Sequence, residues 1–158
     1  MNFDDLYQEL ILDHSKRPRN YGTLEGEGCT HVHGDNPSCG DEIDLHVRFG
    51  SDKVEEIRFT GSGCAISQAS ASMMTQKLKG KPVAEAERLM HLFREQVTGS
   101  GAASAPRELG DLNVLSGVRK FPQRVKCAML AWRAFEQALE ESRGGGNGTA
   151  SVTTEETE

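Results

Sequence analysis

The stretch IDLHVRFGSDKVEEIRFTGSGCAIS, residues 43–67, changes its hydrophobic period halfway along, and that change decides the fold. Ile43, Leu45, Val47 and Phe49 alternate with Asp44, His46 and Arg48, the period-two pattern of a half-buried strand. Gly50-Ser51-Asp52 supplies a turn, and Val54 to Thr60 reads as the next strand. Beyond Gly61-Ser62-Gly63 the pattern becomes helical. Ile66, Ala69, Met73, Met74 and Leu78 recur at helix spacing between Cys64 and Lys79. Upstream, the segment around Thr30 to Gly34 reads as a first strand. Together these segments predict a small antiparallel three-stranded meander followed by helices.

Working outward, residues 3–14 read as an opening helix through Phe3, Leu6, Tyr7, Leu10 and Ile11. Lys16-Arg17-Pro18-Arg19-Asn20-Tyr21-Gly22 ends it, because proline and glycine break helices. Pro82 suits the first turn of a further helix, with an apolar stripe of Val83, Ala86, Met90, Phe93 and Val97. A loop at residues 99–106 precedes a short helix predicted from Glu108 to Gly117. Pro122 then opens a long helix with Val125, Ala128, Trp132, Phe135 and Leu139 along one face. The fold class is α+β, with strands first and helices packed on one face of the sheet. Residues 1–143 form one domain by this reading. Residues 144–158, rich in Gly, Thr and Glu, have little to bury and are expected to be a disordered acidic tail.

A chain of 158 residues is long enough to bury a core without disulfide staples. The net charge of −6 argues against a nucleic-acid binder, whose affinity rests on clustered Lys and Arg. No stretch approaches the roughly 20 apolar residues of a membrane helix. The start, Met1-Asn2-Phe3-Asp4-Asp5-Leu6, lacks an apolar leader, so the expected location is the cytoplasm. Thiols stay reduced there, which favours metal or thiol chemistry for the four cysteines over two disulfides.

Three of those cysteines sit at the edges of predicted elements. Cys39 lies in the loop Asn36-Pro37-Ser38-Cys39-Gly40-Asp41, Cys64 begins a helix, and Cys127 lies in the second turn of another. Three thiolates and the Asp41 carboxylate make the four donors of a tetrahedral metal site. Alternate residues of an extended chain share a face, so Cys39 and Asp41 can reach one ion; Asp41 as an ordinary turn residue is the competing reading. A helix N-terminus favours the Cys64 thiolate. Arg124 and Lys126 flank Cys127 and would offset negative charge as supporting residues. The separations match no zinc-finger knuckle, so the donors must converge through the fold. Cys29 has no such context, and His31 and His33 alternate toward one strand face within reach of the Cys39 loop.

Laid end to end, these segments resemble the U-type iron–sulfur cluster assembly family, most closely its SufU branch. The matches are Asp13-His14 with Pro18-Arg19-Asn20, the Asn36 to Asp41 loop, and Gly61-Ser62-Gly63-Cys64-Ala65-Ile66-Ser67. They continue through Gly117-Val118-Arg119-Lys120-Phe121-Pro122 and Arg124-Val125-Lys126-Cys127-Ala128. The helical segment from about Lys81 to Arg119 looks like the SufU insertion. Lys126 stands where related IscU scaffolds carry a histidine, and the chaperone-binding Leu-Pro-Pro-Val-Lys stretch of those scaffolds is absent.

The resemblance implies a SufE/NifU-like fold and one zinc ion on Cys39, Asp41, Cys64 and Cys127. It further implies sulfur transfer from a SufS-type cysteine desulfurase to downstream iron–sulfur assembly proteins, with Cys39 as the catalytic, sulfur-carrying thiol. Such a protein is a zinc-dependent sulfurtransferase acting with its desulfurase, not an independent enzyme. The alternative it carries is a scaffold that binds iron as a [2Fe–2S] cluster and passes that cluster to apo-proteins.

Overall fold

The structure, a computed structural model, describes residues 3–26, 28–99, 107–143 and 149–153. Helix α1 (Phe3–Lys16) leads into strands β1 (Cys29–Asn36), β2 (Asp41–Phe49) and β3 (Val54–Ser62). Helices α2 (Ala65–Leu78) and α3 (Val83–Thr98), a 3₁₀ segment (Arg107–Lys120), α4 (Pro122–Arg143) and strand β4 (Thr149–Thr153) complete the chain. The period change at Gly61–Gly63 falls where β3 gives way to α2.

The sheet has four strands in the order β3-β2-β1-β4, rather than the expected antiparallel three. The first three pair antiparallel, with Asn36 opposite Asp41 and Ile43 opposite Gly61. Strand β4 adds parallel to β1, Val152 opposite Gly34. It lies inside the stretch predicted to be a disordered tail. Residues 144–148 and 154–158 of that stretch lie outside the described residues. Packing explains the difference: a Cβ on Gly34 would touch both Val152 Cγ1 and Leu130 Cδ1 at 3.2–3.3 Å. Val152 therefore reaches the apolar layer from the otherwise open edge of β1, a contact that a composition argument misses.

Helices α2 and α4 cover one face of the sheet, α4 over β1 and β2 and α2 against β3. Leu45, Val47, Ile57 and Phe59 point inward to meet Met74, Ala128 and Phe135, all fully buried. A polar pin joins the two helices. The Trp132 indole N–H donates to Ser70 Oγ at 3.1 Å, and that hydroxyl donates to the Ala128 carbonyl at 2.6 Å. Phe93 of α3 stacks on Trp132 with ring centroids 4.5 Å apart. A second pin fixes the exit of α1. Ser72 Oγ meets buried His14 Nδ1 at 2.7 Å and accepts from the Arg19 amide, while Asn20 Nδ2 donates to Thr75 Oγ1. The Asp13-His14 and Pro18-Arg19-Asn20 motifs are thus a clamp onto α2. The predicted short helix at 108–117 is a 3₁₀ segment kinked at Gly110, whose φ of 56° breaks regular winding.

Candidate metal centre

The β1–β2 hairpin turn consists of Pro37, Ser38, Cys39 and Gly40, because Asn36 and Asp41 already pair across the strands. The Asn36 carbonyl accepts from the Cys39 and Gly40 amides, and Gly40 takes a φ of +74° that suits glycine. Cys39 is carried at the exposed tip. Asp41 opens β2 with no exposure at all.

Cys64 is the N-cap of α2, its sulfur accepting the Ser67 amide at 3.4 Å. Its own amide donates to Asp41 Oδ1 at 2.8 Å, and its sulfur lies 3.8 Å from Asp41 Oδ2. Cys127 on α4 is 3% exposed, with its sulfur 3.5 Å from that of Cys39. Cys127 is thus buried within the core layer, next to Ala128 and Leu130 of the same helix.

Cys39, Asp41 and Cys127 form a set whose donor atoms all lie within 4.8 Å of one another, the one such set of three or more among the described residues. Cys64 falls outside that mutual 4.8 Å set but contacts one member of it, its sulfur 3.8 Å from Asp41 Oδ2. A tetrahedral zinc with sulfur bonds of about 2.3 Å spaces its sulfur donors about 3.8 Å apart. The 3.5 Å between the Cys39 and Cys127 sulfurs comes within a few tenths of an ångström of that spacing.

The Asp41 carboxylate gives a second test of fit. A fully buried carboxylate requires a compensating charge or strong hydrogen bonds. Its described partners are the Cys64 amide and thiol and the Asn36 amide at 3.2 Å, none of them a cation. A metal ion held there would supply a positive countercharge. Gly63 makes room for the carboxylate: a Cβ there would overlap Asp41 Oδ1.

Without metal, the thiols divide one another's protons. The Cys64 thiol is lowered from 9.0 to about 7, first by a hydrogen bond with Cys127 and then by the Ser67 and Ile66 amides, against burial and the Asp41 charge. Cys127 is pushed strongly upward by the same bond to Cys64, by burial, and by Asp41 and Cys39. Of the two, Cys64 is therefore the one that favours the thiolate and Cys127 the one that keeps its proton.

A cleft of about 330 Å³ opens over the sulfurs, lined by Cys39, Cys64, Ala65, Ile66, Gln123, Arg124 and Cys127. Arg124 borders it, its guanidinium 5.6 Å from the Phe121 ring. Lys126 is half-buried and is not among the lining residues. An adjoining, more apolar groove is formed by Gln8, Ile11, Leu12, Ala65, Ile66 and Arg124.

His31 and His33 do not approach the cysteines. Both lie on the opposite face of β1 and bond to Asp44. Cys29 shares that face. Sequence reasoning missed Asn36, which is fully buried and donates to Asp41 Oδ2 and, at 3.5 Å, to Cys127 Sγ. Its place immediately before Pro37 was the available signal.

Residues 6–145 match the family described as the NifU-like N terminal domain. The iron-sulfur cluster assembly scaffold protein IscU of Streptococcus pyogenes is 47% identical over 137 residues, covering 87% of this chain and 84% of that protein. The zinc-dependent sulfurtransferase SufU of Bacillus subtilis is 44% identical over 144 residues, 91% of this chain and 96% of that one. Among solved structures, a putative iron-sulfur cluster assembly scaffold protein for the SUF system from Fervidobacterium islandicum superimposes with a TM-score of 0.75 at 34% identity, covering 85% of this chain and 97% of that one. A NifU-like protein from Brucella abortus shares the fold at 21% identity, with a TM-score of 0.77 over 90% of this chain and 98% of that one.

Proposed function

Because the chain belongs to the NifU-like N-terminal domain family, we propose that it serves iron–sulfur cluster assembly as a zinc-holding sulfur carrier in the cytoplasm. In this reading it accepts sulfur from a SufS-type cysteine desulfurase and hands it to the proteins that build clusters. One observation carries it: Cys39 is exposed at a hairpin tip, while Asp41 and Cys127 beside it are 0% and 3% exposed. A thiol that must meet another protein's persulfide has to be accessible, whereas donors that keep a site together are best buried. The relative named a zinc-dependent sulfurtransferase, 44% identical, supports the same reading.

Zinc, when bound by Cys39, Asp41, Cys64 and Cys127, would supply positive charge that keeps the thiols deprotonated without adding redox chemistry. Cys39, as thiolate, attacks the outer sulfur of the partner's cysteine persulfide. A sulfur–sulfur bond to Cys39 forms as the partner's breaks, and the electron pair departs on the partner's cysteine thiolate. One sulfur atom moves, and no external oxidant or reductant is needed. Cys64 and Cys127, fixed on α2 and α4, hold position while the hairpin tip yields. Arg124 at the rim, and the apolar groove reaching Leu12, provide the docking side for the desulfurase.

A second reading is a scaffold for a [2Fe–2S] cluster. It is favoured by the relative named an assembly scaffold at 47% identity, and thiolates suit iron as well as zinc. Mass spectrometry after incubation with desulfurase and cysteine separates the two. Persulfide on the wild type and none on Cys39→Ala is the expected result. Persulfide at normal rates on that variant, or a brown iron-bearing protein as purified, would overturn the sulfur-carrier reading.

A further inference from the structure

The sheet face turned away from the helices carries a second group of metal-competent side chains. His31 and His33 on β1 stand directly opposite His46 and Asp44 on β2. Alternate strand residues share a face, so the four make a two-by-two grid on the outer surface. Cross-strand pairs of this kind set Cβ atoms about 4.5–5.5 Å apart, and same-strand neighbours on one face about 6.7 Å. Those spacings allow imidazoles and a carboxylate to converge on one ion.

The side chains have already begun to converge. Asp44 Oδ1 accepts from His31 Nε2 at 2.9 Å and from His33 Nδ1 at 3.0 Å. The His31 ring stacks on His46 with centroids 4.7 Å apart and planes 10° from parallel. Glu42 Oε1 lies 3.9 Å from the remaining nitrogen of His33. Tetrahedral coordination with metal–nitrogen bonds of about 2.0–2.1 Å needs neighbouring donors about 3.3 Å apart. The two observed gaps fall short by a few tenths of an ångström, since a shared proton now holds them closed.

Unlike the cysteine set, these donor atoms do not yet come in threes within 4.8 Å of one another, and closing them on one ion requires the His31 ring to turn off His46. The exposure of the side chains permits that: 35% for His31, 40% for His33 and 37% for Asp44. The Leu24 carbonyl bonds to His46, the kind of outer partner that fixes which ring nitrogen of a metal-binding histidine is free. Among the described residues two cations share that face, Arg48 beside His46 on β2 and Arg58 opposite His46 on β3; the Arg48 guanidinium donates to the Glu25 carbonyl at 3.0 Å and that of Arg58 lies toward Gly22. Three imidazoles and a carboxylate form a borderline-hard donor set, suited to zinc, nickel or copper and unlike the sulfur-rich cleft.

We propose that His31, His33, His46 and Asp44 form a second, surface site for a divalent transition-metal ion on the outer face of the sheet, separate from the cysteine centre. The site needs no cysteine, so it stands or falls independently of the sulfur-carrier reading.

The test uses the full chain and zinc alone, with bound ions counted by elemental analysis and affinities measured by chelator competition. Wild type is expected to hold two ions, one tight and one weaker. The His31→Gln/His33→Gln variant keeps the tight ion and loses the weaker one, and His46→Gln weakens the latter at least about 10-fold, the usual scale for losing a supporting or ligating group. Cys39→Ala/Cys127→Ala keeps only the weaker ion. Cobalt bound to that cysteine variant shows no thiolate-to-metal charge-transfer band. If that variant does not fold, imidazole nitrogen chemical shifts of wild type, loaded with one and then two zinc equivalents, report the same site. Perturbation of the three histidines by the second equivalent supports it. A wild type that stops at one ion, or a histidine variant that retains two, overturns it.

Discussion

Replacing Gly63 by alanine tests whether the Asp41 carboxylate is held by the shape of the β3–α2 turn. Gly63 has a φ of +142°, a region that residues with a Cβ rarely enter. Occupying such a region costs about 1–3 kcal/mol. The added Cβ would stand 2.9 Å from Asp41 Cα and overlap its carboxylate, so the carboxylate must move. Movement breaks the 2.8 Å bond from the Cys64 amide, a charge-assisted contact worth about 1.5–3 kcal/mol. The sum is about 2.5–6 kcal/mol, a large share of a typical domain's stability. With a urea slope near 2 kcal/mol per molar, the midpoint should fall by about 2 M.

Gly40→Ala separates strain from collision. Its φ is +74°, yet a Cβ there meets nothing within 4 Å, so it should lose only about 1–2 kcal/mol. Both variants are unfolded in urea with and without zinc, and zinc retention is followed against a chelator. Gly63→Ala should also release zinc at least about 10-fold more readily, because a donor is displaced. If Gly63→Ala unfolds within about 0.5 kcal/mol of wild type and retains zinc equally, the packing argument for Asp41 is wrong.

Asp41→Asn keeps an acceptor for the Cys64 amide but removes the charge and sets an amide donor against that of Asn36, so zinc affinity should drop at least about 10-fold and the metal-free protein should lose about 1–3 kcal/mol; chelator competition and urea melts read the two effects. Ser70→Ala leaves the buried Trp132 N–H without its acceptor and the Ala128 carbonyl without its donor, and should lower stability by about 1–3 kcal/mol in denaturant titration. Burial lowers the pKa of His14 below 6.5, so the fold favours its neutral form. The resulting stability is present above about pH 6.5 and lost as pH falls through the lower folded value, so from about pH 7 to pH 5 the wild-type urea midpoint should decline more steeply than that of His14→Gln. Zinc at about 1,000 times its dissociation constant should stabilise the protein by about 4 kcal/mol, seen as a raised melting temperature that chelator abolishes.

The alternation of Ile43 to Phe49 and the helical spacing after Cys64 were legible because each segment buries one face, and burial writes periodicity into a sequence. The positions of Cys39, Asp41 and Cys64 at element edges were legible too, since turn residues mark edges. Strand β4 was not: five residues with Val152 among threonines and small residues leave no readable pattern, and the partner edge lies more than a hundred residues away in the chain. The role of Asn36 was hidden for a related reason. It bonds to Asp41 across a hairpin and to Cys127 across the whole fold, and neither spacing is local. His31 and His33 were assigned a reach toward Cys39 because a strand pattern shows that two residues share a face but not which face the cleft occupies.

Trp132 is the chain's single tryptophan, and the fold turns it into an optical gauge. Its indole is sealed from water, bonded to α2 through Ser70, and set on α4 just over one turn beyond Cys127. The helix it rides carries one of the candidate donors, and the helix it bonds to starts at another. Any change in the spacing of those two helices alters the polarity around the ring. The emission of the unlabelled protein should therefore report unfolding, and any metal loading or docking that moves those helices.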